Sequence, residues 1–199
     1  PANVTRVAVR AEFVIAPRHR NWIAPLDVHS AKEAKDGHAG AMLIFRAVGG
    51  SDGRDVPVQI DMGGQSGPSV YDHCVGMRLQ AVALDGSRTS DATDKSGRLR
   101  FFNKRAAWHW GLRELLDPLN KHDLALPPDP QLRSDLCAIR WELRLGRIKI
   151  EEKQGIMQRI GRSPDRGEAV IYACAEGEVP VYAAPTGVGE AGYWTKGLS

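Results

Sequence analysis

Two acidic residues, three positions apart, stand at the start of an apolar segment late in the chain. Asp165 and Glu168 follow Ser163 and Pro164, and residues 169–175 are almost wholly apolar. Ser163 is a favoured helix N-cap and Pro164 suits the first helical position, so a helix is predicted with both carboxylates on one face. Carboxylate oxygens are ligands for hard divalent cations, which makes metal chemistry one interpretation. The other interpretation is structural, because acids also complement the helix dipole.

A third acid, Asp61, ends a segment patterned as a buried strand. Residues 56–62 form this segment, and the glycines at 63 and 64 predict a loop directly after it. Ligand sites in α/β folds collect where strands end, so Asp61 is either a ligand or a turn cap. Together with Asp165 and Glu168 it gives three carboxylates from separate elements. That set suits a hard cation bound to phosphate oxygens.

The elements that must position these acids are predicted from hydrophobic patterning and from glycine and proline breaks. Strands are predicted at residues 4–9, 12–16, 22–28, 56–62 and 80–84, with a hairpin over 141–150 that turns at 145–146. Helices are predicted at residues 31–48, 68–77, 101–117 and 131–139, from 151 onward, and from 163 to 175. The order of strand, glycine loop, helix and strand around Asp61 favours a mixed or parallel sheet with helices on its faces.

Composition and motifs exclude several function classes. The 199 residues include 42% hydrophobic and 26% charged residues with a net charge of +3, which is typical of one soluble globular domain. There is no GxxxxGK[ST] phosphate loop, no zinc-ligand spacing and no apolar run of membrane-spanning length. Three scattered cysteines predict buried, reduced thiols. Trp108, Trp110 and Trp141 are predicted as core anchors, with base stacking as the alternative.

Five motifs then occur in one order along the chain. They are residues 58–61 before the glycine loop, 103–108, 124–132, 146–151 and 163–169. Together they resemble the C-terminal nuclease domain of tailed-bacteriophage terminase large subunits, over residues 13–175. The resemblance implies an α/β, RNase H/RuvC-like fold for residues 1–175, with a mixed central sheet flanked by helices. Residues 176–199 are expected to form a small, loosely packed C-terminal extension.

The resemblance implies a divalent-metal-dependent endonuclease that cuts double-stranded DNA during genome packaging. Asp61, Asp165 and Glu168 would be its catalytic and metal-binding residues, holding Mg²⁺ or Mn²⁺, as two ions. The residues expected to bind DNA are Lys104, Arg105, Lys153, Arg159 and Arg162. The implied partners are double-stranded DNA, an upstream ATPase domain of the same polypeptide, the portal and the small terminase subunit. The implied location is the cytoplasm of a bacterial host, away from any membrane.

An alternative function follows from the first acid of the family pattern, which belongs on the opening strand. Here Asn3 stands in its place, or that strand is absent, and Glu12 compensates only in a different register. An amide ligand brings no charge, so the loss of one carboxylate weakens cation binding. The alternative is therefore a catalytically impaired RNase H-like domain that serves DNA binding or docking in the packaging machine. An unrelated α/β domain with structural acids is the third possibility.

Overall fold

Short strands and helices make up the part of the chain that the structure, a computed structural model, describes: residues 12–63 and 66–175. The strands are β1 (Phe13–Ile15), β2 (Arg18–His19), β3 (Trp22–Ile23), β4 (Asp27–His29), β5 (Pro57–Asp61), β6 (Gln80–Leu84), β7 (Arg100–Phe101), β8 (Trp141–Arg144) and β9 (Arg147–Ile150). The helices are α1 (Gly37–Ala47), α2 (Gly67–Gly76), α3 (Lys104–Leu116), α4 (Pro130–Ala138), α5 (Lys153–Ile160) and α6 (Asp165–Ala173).

Within these residues the strands form four small hydrogen-bonded sheets. β1 pairs with β4, and β2 with β3, in antiparallel fashion, whereas β5 and β6 are parallel. The fourth sheet has the order β7-β9-β8, with a parallel and then an antiparallel pair. The α/β class and the mixture of parallel and antiparallel pairs agree with the sequence prediction.

The β5-α2-β6 unit positions Asp61. Val58 and Ile60 point into an apolar cluster that also receives Val70 from α2, so the unit packs on one core. Gly67 begins α2 directly against the end of β5. A Cβ atom there would lie 2.0 Å from the backbone oxygen of Asp61, so only glycine permits this approach. The close contact fixes the end of β5 beside the start of α2.

Helix α6 lies at the centre of the packing. It contacts β1, β5, α3 and α4, and its Val170 and Ile171 are almost completely buried. Val82 and Leu84 of β6 and Trp108 of α3 belong to the same apolar cluster. The N-terminal end of α6 is consequently held in a fixed position relative to the end of β5.

Three predicted element boundaries are wrong for local reasons. The helix predicted at residues 31–48 begins only at Gly37, because Asp36 caps it by accepting a 2.8 Å hydrogen bond from the Ala39 N–H. Ser30, the expected cap, bonds instead to Glu33 in a separate turn. The strand predicted at 22–28 is divided into β3 and β4.

The third wrong boundary concerns α3. Phe101 belongs to β7, and the helix begins at Lys104, with Asn103 as its N-cap. Asn103 accepts a 2.9 Å hydrogen bond from the Ala106 N–H. The hairpin prediction with its turn at residues 145–146 is confirmed, since Leu145 and Gly146 both have positive φ angles.

Some of the residues predicted to lie in the core are buried, and others are exposed. Trp108 and Trp110 are buried as predicted, but Trp141 is 49% exposed on β8. Cys137 is likewise exposed, contrary to the prediction, whereas the other two thiols are buried. No helix in residues 12–63 and 66–175 combines the length and apolar character needed to cross a membrane. The strand predicted at residues 4–9, the position of Asn3 and the expected extension at 176–199 lie outside the described residues.

Candidate functional site

Asp165 is held at the first position of α6 by three donors. The Glu12 N–H donates to Oδ2 at 3.0 Å, Lys153 Nζ lies 3.0 Å from Oδ1, and the Ser163 hydroxyl also donates to Oδ1. Ser163 was predicted as the N-cap, and this is wrong: Pro164 occupies the cap position and has no side-chain cap bond. The hydroxyl is committed to the carboxylate instead. Asp165 is therefore oriented from both sides.

Lys153 joins the two acids of α6. Its Nζ lies 2.6 Å from Glu168 Oε2 as well as 3.0 Å from Asp165 Oδ1. Both carboxylates are mostly buried, with side-chain exposures of 8% for Glu168 and 13% for Asp165. Burial lowers the pKa of Lys153, but the charges and hydrogen bonds of Glu168 and Asp165 outweigh it and raise the pKa above its ordinary value. A protonated ammonium thus occupies the point that the two carboxylates share.

Arg105 of α3 approaches Glu168 from the other side. Its Nη2 lies 3.5 Å from Glu168 Oε1, and its Nη1 donates a 2.8 Å hydrogen bond to the backbone oxygen of Glu151. The guanidinium therefore links α3, the segment before α5, and α6. It supplies a second positive charge at a distance that makes only a weak direct contact with Glu168.

Asp61 lies near the same region but outside the Lys153 contacts. Its Oδ1 accepts a 2.9 Å hydrogen bond from the Gly63 N–H, which closes a turn after β5. Burial, followed by the negative charges of Glu168 and Asp61, raises the pKa of Tyr172. The phenol of Tyr172 is therefore close enough to both carboxylates to feel their charges. Asp61 and Glu168 approach it from β5 and α6, respectively.

The chemistry of these donors fits a hard cation in one respect and falls short in another. The ammonium of Lys153 stands where a cation shared by Asp165 and Glu168 would lie, and carboxylate oxygens are what Mg²⁺ and Mn²⁺ prefer. Among residues 12–63 and 66–175, however, no group of three or more His, Cys, Asp or Glu side chains is gathered closely enough to hold a metal ion. The structure brings together the α6 pair and leaves Asp61 nearby. The three-residue metal site stays a prediction.

Four of the five cations predicted to bind DNA make ion pairs with carboxylates. Arg159 and Arg162, like Lys153 and Arg105, contact acids of this chain, and Lys104 is also engaged. Their role in DNA binding stays a prediction. The contacts are Arg105 with Glu168, Lys153 with Asp165 and Glu168, Arg159 with Glu151, and Arg162 with Asp135.

Sequence analysis missed the ionic framework behind α6. Asp135 of α4 is fully buried, accepts a 3.1 Å hydrogen bond from the Gly167 N–H, and contacts the Arg162 guanidinium. Arg166 pairs with Glu12 at 3.1 Å and with Asp129 at 2.9 Å. The carboxylate of Glu12 is therefore bound to Arg166, and only its N–H reaches Asp165. Asp135, three positions after the buried Leu132, is the one signal that the sequence offers for this framework.

Comparison with solved structures identifies the fold. The nuclease domain of the large terminase subunit gp2 of bacterial virus Sf6 matches with a TM-score of 0.63 and 19% identity, over 81% of this chain and 80% of that chain. A lysine-to-alanine mutant of the same domain with manganese matches with a TM-score of 0.62 and 19% identity, over 81% and 82%. This chain has the fold of the gp2 nuclease domain.

The mutant bound to manganese and beta-thujaplicinol gives the same result, with a TM-score of 0.62, 18% identity and coverage of 81% and 80%. No family model matches the chain, and no curated protein matches it. The assignment of this fold therefore depends on similarity in three-dimensional structure. The RNase H-like prediction is confirmed, and the acids at the end of β5 and the start of α6 stand in that fold.

Proposed function

We propose that this chain is the divalent-metal-dependent endonuclease domain of a phage terminase large subunit, which cuts double-stranded DNA during genome packaging. One observation carries the proposal: in a gp2-like nuclease fold, Asp165 and Glu168 converge on a single cationic atom, the Nζ of Lys153. Two mostly buried carboxylates that share one cation suit a site that exchanges the ammonium for a metal ion.

Three carboxylates hold the metal in this proposal. Asp165 and Glu168 bind from α6, and Asp61 contributes from the end of β5. Two Mg²⁺ or Mn²⁺ ions, when bound, would supply an activated water and charge stabilisation for phosphodiester hydrolysis. The solved relatives include two structures with manganese, which is consistent with this choice of ion.

Residues around the acids prepare the site. The Glu12 N–H and the Ser163 hydroxyl orient Asp165, and the Arg105 guanidinium holds the Glu151 backbone and places a positive charge beside Glu168. Lys153 balances the negative charge of the pair, which would otherwise be costly to bury. These groups keep the α6 acids in place before the metal binds.

The wider setting is part of the same proposal. The substrate is double-stranded DNA, and an upstream ATPase domain of the same polypeptide translocates this DNA during packaging. The portal and the small terminase subunit are the further partners, in the cytoplasm of the bacterial host.

A second function is favoured by a specific observation. Lys153 already neutralises the α6 pair, and no three-ligand group is present in the described residues. These facts suit a catalytically impaired domain that binds DNA or docks in the packaging machine. The two functions differ in one measurable property, which is phosphodiester cleavage.

Nicking of supercoiled plasmid DNA in Mn²⁺ separates them. We expect the 199-residue chain to nick the plasmid, and Asp61→Asn and Glu168→Gln to lower the rate by about 100-fold or more, since each removes charge support from the transition state. Asp72→Asn, an exposed acid on α2, is the matched control and should cut normally. Cutting by both site variants at the wild-type rate would contradict the metal-site assignment. A wild-type chain that does not cut would establish the impaired domain.

A further inference from the structure

Three arginines stand in register across the three-stranded sheet. Arg100 of β7 is directly opposite Arg147 of β9, and Arg147 is directly opposite Arg144 of β8. The three residues form one line perpendicular to the strands, and we call them the arginine row. Adjacent strands lie about 4.8 Å apart, so the row extends over about 10 Å.

The row lies on the solvent side of the sheet. Phe101 and Ile148, the next residues along β7 and β9, are 3% and 0% exposed and belong to the core beneath. Successive side chains on a strand point to opposite faces, so Arg100 and Arg147 point outward. Arg100 and Arg144 are exposed, and Arg147 is half-buried.

The arrangement is electrostatically unfavourable in the isolated chain. Like charges directly opposite each other on adjacent strands destabilise a sheet. Within residues 12–63 and 66–175, no carboxylate lies within ion-pair distance of any member of the row. The neighbouring cations Arg105, Lys153 and Arg162 all contact carboxylates, whereas the described part of the chain places no carboxylate against the row.

An aromatic ring anchors one end of this surface. Phe102 follows β7, and the guanidinium of Arg144 and the ammonium of Lys149 both lie 5.6 Å from its ring centroid. Such cation–π contacts hold the side chains against the sheet. Lys149 is also 3.2 Å from Glu152, so its charge is partly balanced, unlike that of the row.

We propose that the arginine row binds the phosphate backbone of double-stranded DNA. Arginine pairs with phosphate through two parallel hydrogen bonds, and its charge survives at every physiological pH. One DNA strand carries regularly spaced phosphates along its backbone, so a row of about 10 Å can contact successive phosphates of one strand. The inference rests on the proposed function, because that function makes DNA the substrate.

The row is also close in sequence to the candidate metal site. β9 ends at Ile150, and Lys153 follows three residues later with its contacts to the α6 acids. The intervening Glu151 is fixed by Arg105, which reaches its backbone oxygen at 2.8 Å. The strand that carries Arg147 therefore leads directly into the segment that carries Lys153, and phosphate contacts by the row involve no recognition of base sequence.

Fluorescence anisotropy with a labelled 30-base-pair duplex tests the proposal. The buffer contains Ca²⁺ without Mn²⁺, so that binding is measured apart from cleavage. The variant is Arg100→Gln/Arg144→Gln/Arg147→Gln in the 199-residue chain. We expect at least a 10-fold loss of affinity at low salt, and a fall of about 2 to 3 in the slope of log affinity against log salt. Circular dichroism establishes that the variant is folded.

The matched control removes three exposed arginines elsewhere. Arg46→Gln/Arg54→Gln/Arg133→Gln lowers the net charge equally and should keep the wild-type slope. An unchanged slope in the row variant, or an equal loss in the control, overturns the proposal. Binding that depends on the row in a chain that does not nick plasmid supports the row and contradicts only the nuclease function. If the chain nicks plasmid but its DNA affinity does not depend on the row, the nuclease function is supported and the proposal for the row is contradicted.

Discussion

Two regions of this molecule differ in whether their basic side chains are paired with carboxylates. Around the N-terminal end of α6, Lys153 and Arg162 contact carboxylates that are mostly or wholly buried. On the outer face of the β7-β9-β8 sheet, the arginine row lacks such contacts within the described residues. Both regions are rich in basic residues in the sequence. The comparison indicates that ion pairing within the chain, more than the number of basic residues, decides which cations are available to bind a polyanion.

Burial explains the difference. A charge removed from water needs a partner, whereas an exposed charge is solvated and screened. Asp135 and Glu168 are 0% and 6% exposed, so each draws a cation toward it. Among the described residues the sheet face buries no acid, and its arginines are exposed or half-buried. The interior cations therefore neutralise buried carboxylates around α6, whereas the surface cations are available to bind a ligand.

Removing one arginine from each region tests the comparison, and the interior arginine gives the largest expected effect. Arg162→Leu leaves Asp135 buried beside the Gly167 N–H without its guanidinium, and we expect the free energy of unfolding to fall by about 3 to 5 kcal/mol. Arg147→Gln removes a charge that stands between two other arginines, so we expect a change within about 0.5 kcal/mol. Urea unfolding followed by circular dichroism measures both.

The paired variant Arg162→Leu/Asp135→Leu tests the explanation. If an uncompensated buried charge causes the loss, removing both partners recovers much of it. An equal loss for Arg162→Leu and Arg147→Gln would contradict the contrast between the two regions.

The interior region should also respond to pH through His109. Burial, followed by the charge of Arg105, lowers the pKa of His109 from 6.5 to about 3, and its Nδ1 is 2.8 Å from the Arg105 backbone oxygen. Below pH 6.5 the unfolded chain binds a proton that the folded chain rejects. Stability is therefore lost as the pH falls, by about 1.4 kcal/mol per pH unit, or about 2 kcal/mol at pH 5.

Replacing His109 removes this dependence. We expect His109→Gln to lose less stability than the wild type between pH 7 and pH 5, as measured by urea unfolding at each pH. His122→Gln, at an exposed position outside α3, should behave like the wild type. A free energy of unfolding that stays the same in the wild type from pH 7 to pH 5 would contradict a lowered pKa of His109 in the folded chain.

Local patterning was sufficient to predict the elements beside the site. β6 has the predicted bounds, β5 and α2 differ from prediction by one residue at either end, and the hairpin turns where expected. Alternating apolar residues, a Gly-Pro helix start and a two-residue turn are all properties of neighbouring positions. The boundaries of α1 and α3 were wrong because Asp36 and Asn103, rather than earlier residues, make the cap bonds.

The site itself depends on contacts that local patterning does not encode. The spacing of Asp165 and Glu168 predicted their shared face, but nothing nearby indicates that Lys153 will sit between them. The arginine row depends on the register between β7 and β9, which are separated by α3 and α4. The resemblance assigns five cations to DNA binding, and the structure pairs four of these five with acids.

The central claim is that Asp165 and Glu168 hold a divalent cation at the point now occupied by Lys153 Nζ. Titration with Mn²⁺, followed by electron paramagnetic resonance of the free ion, measures this directly. Because the pKa of Lys153 is raised, the ammonium competes with the metal throughout pH 7 to 9. We expect Lys153→Ala to bind Mn²⁺ about 10-fold more tightly than the wild type, a difference of about 1.4 kcal/mol.

Two controls make the titration specific. Lys149→Ala, which removes a lysine paired with Glu152 outside the site, should bind Mn²⁺ like the wild type. Lys153→Ala/Glu168→Gln should lose the gain, since it removes one of the two carboxylates. An Mn²⁺ affinity that is the same in the wild type, Lys153→Ala and the double variant would contradict the account.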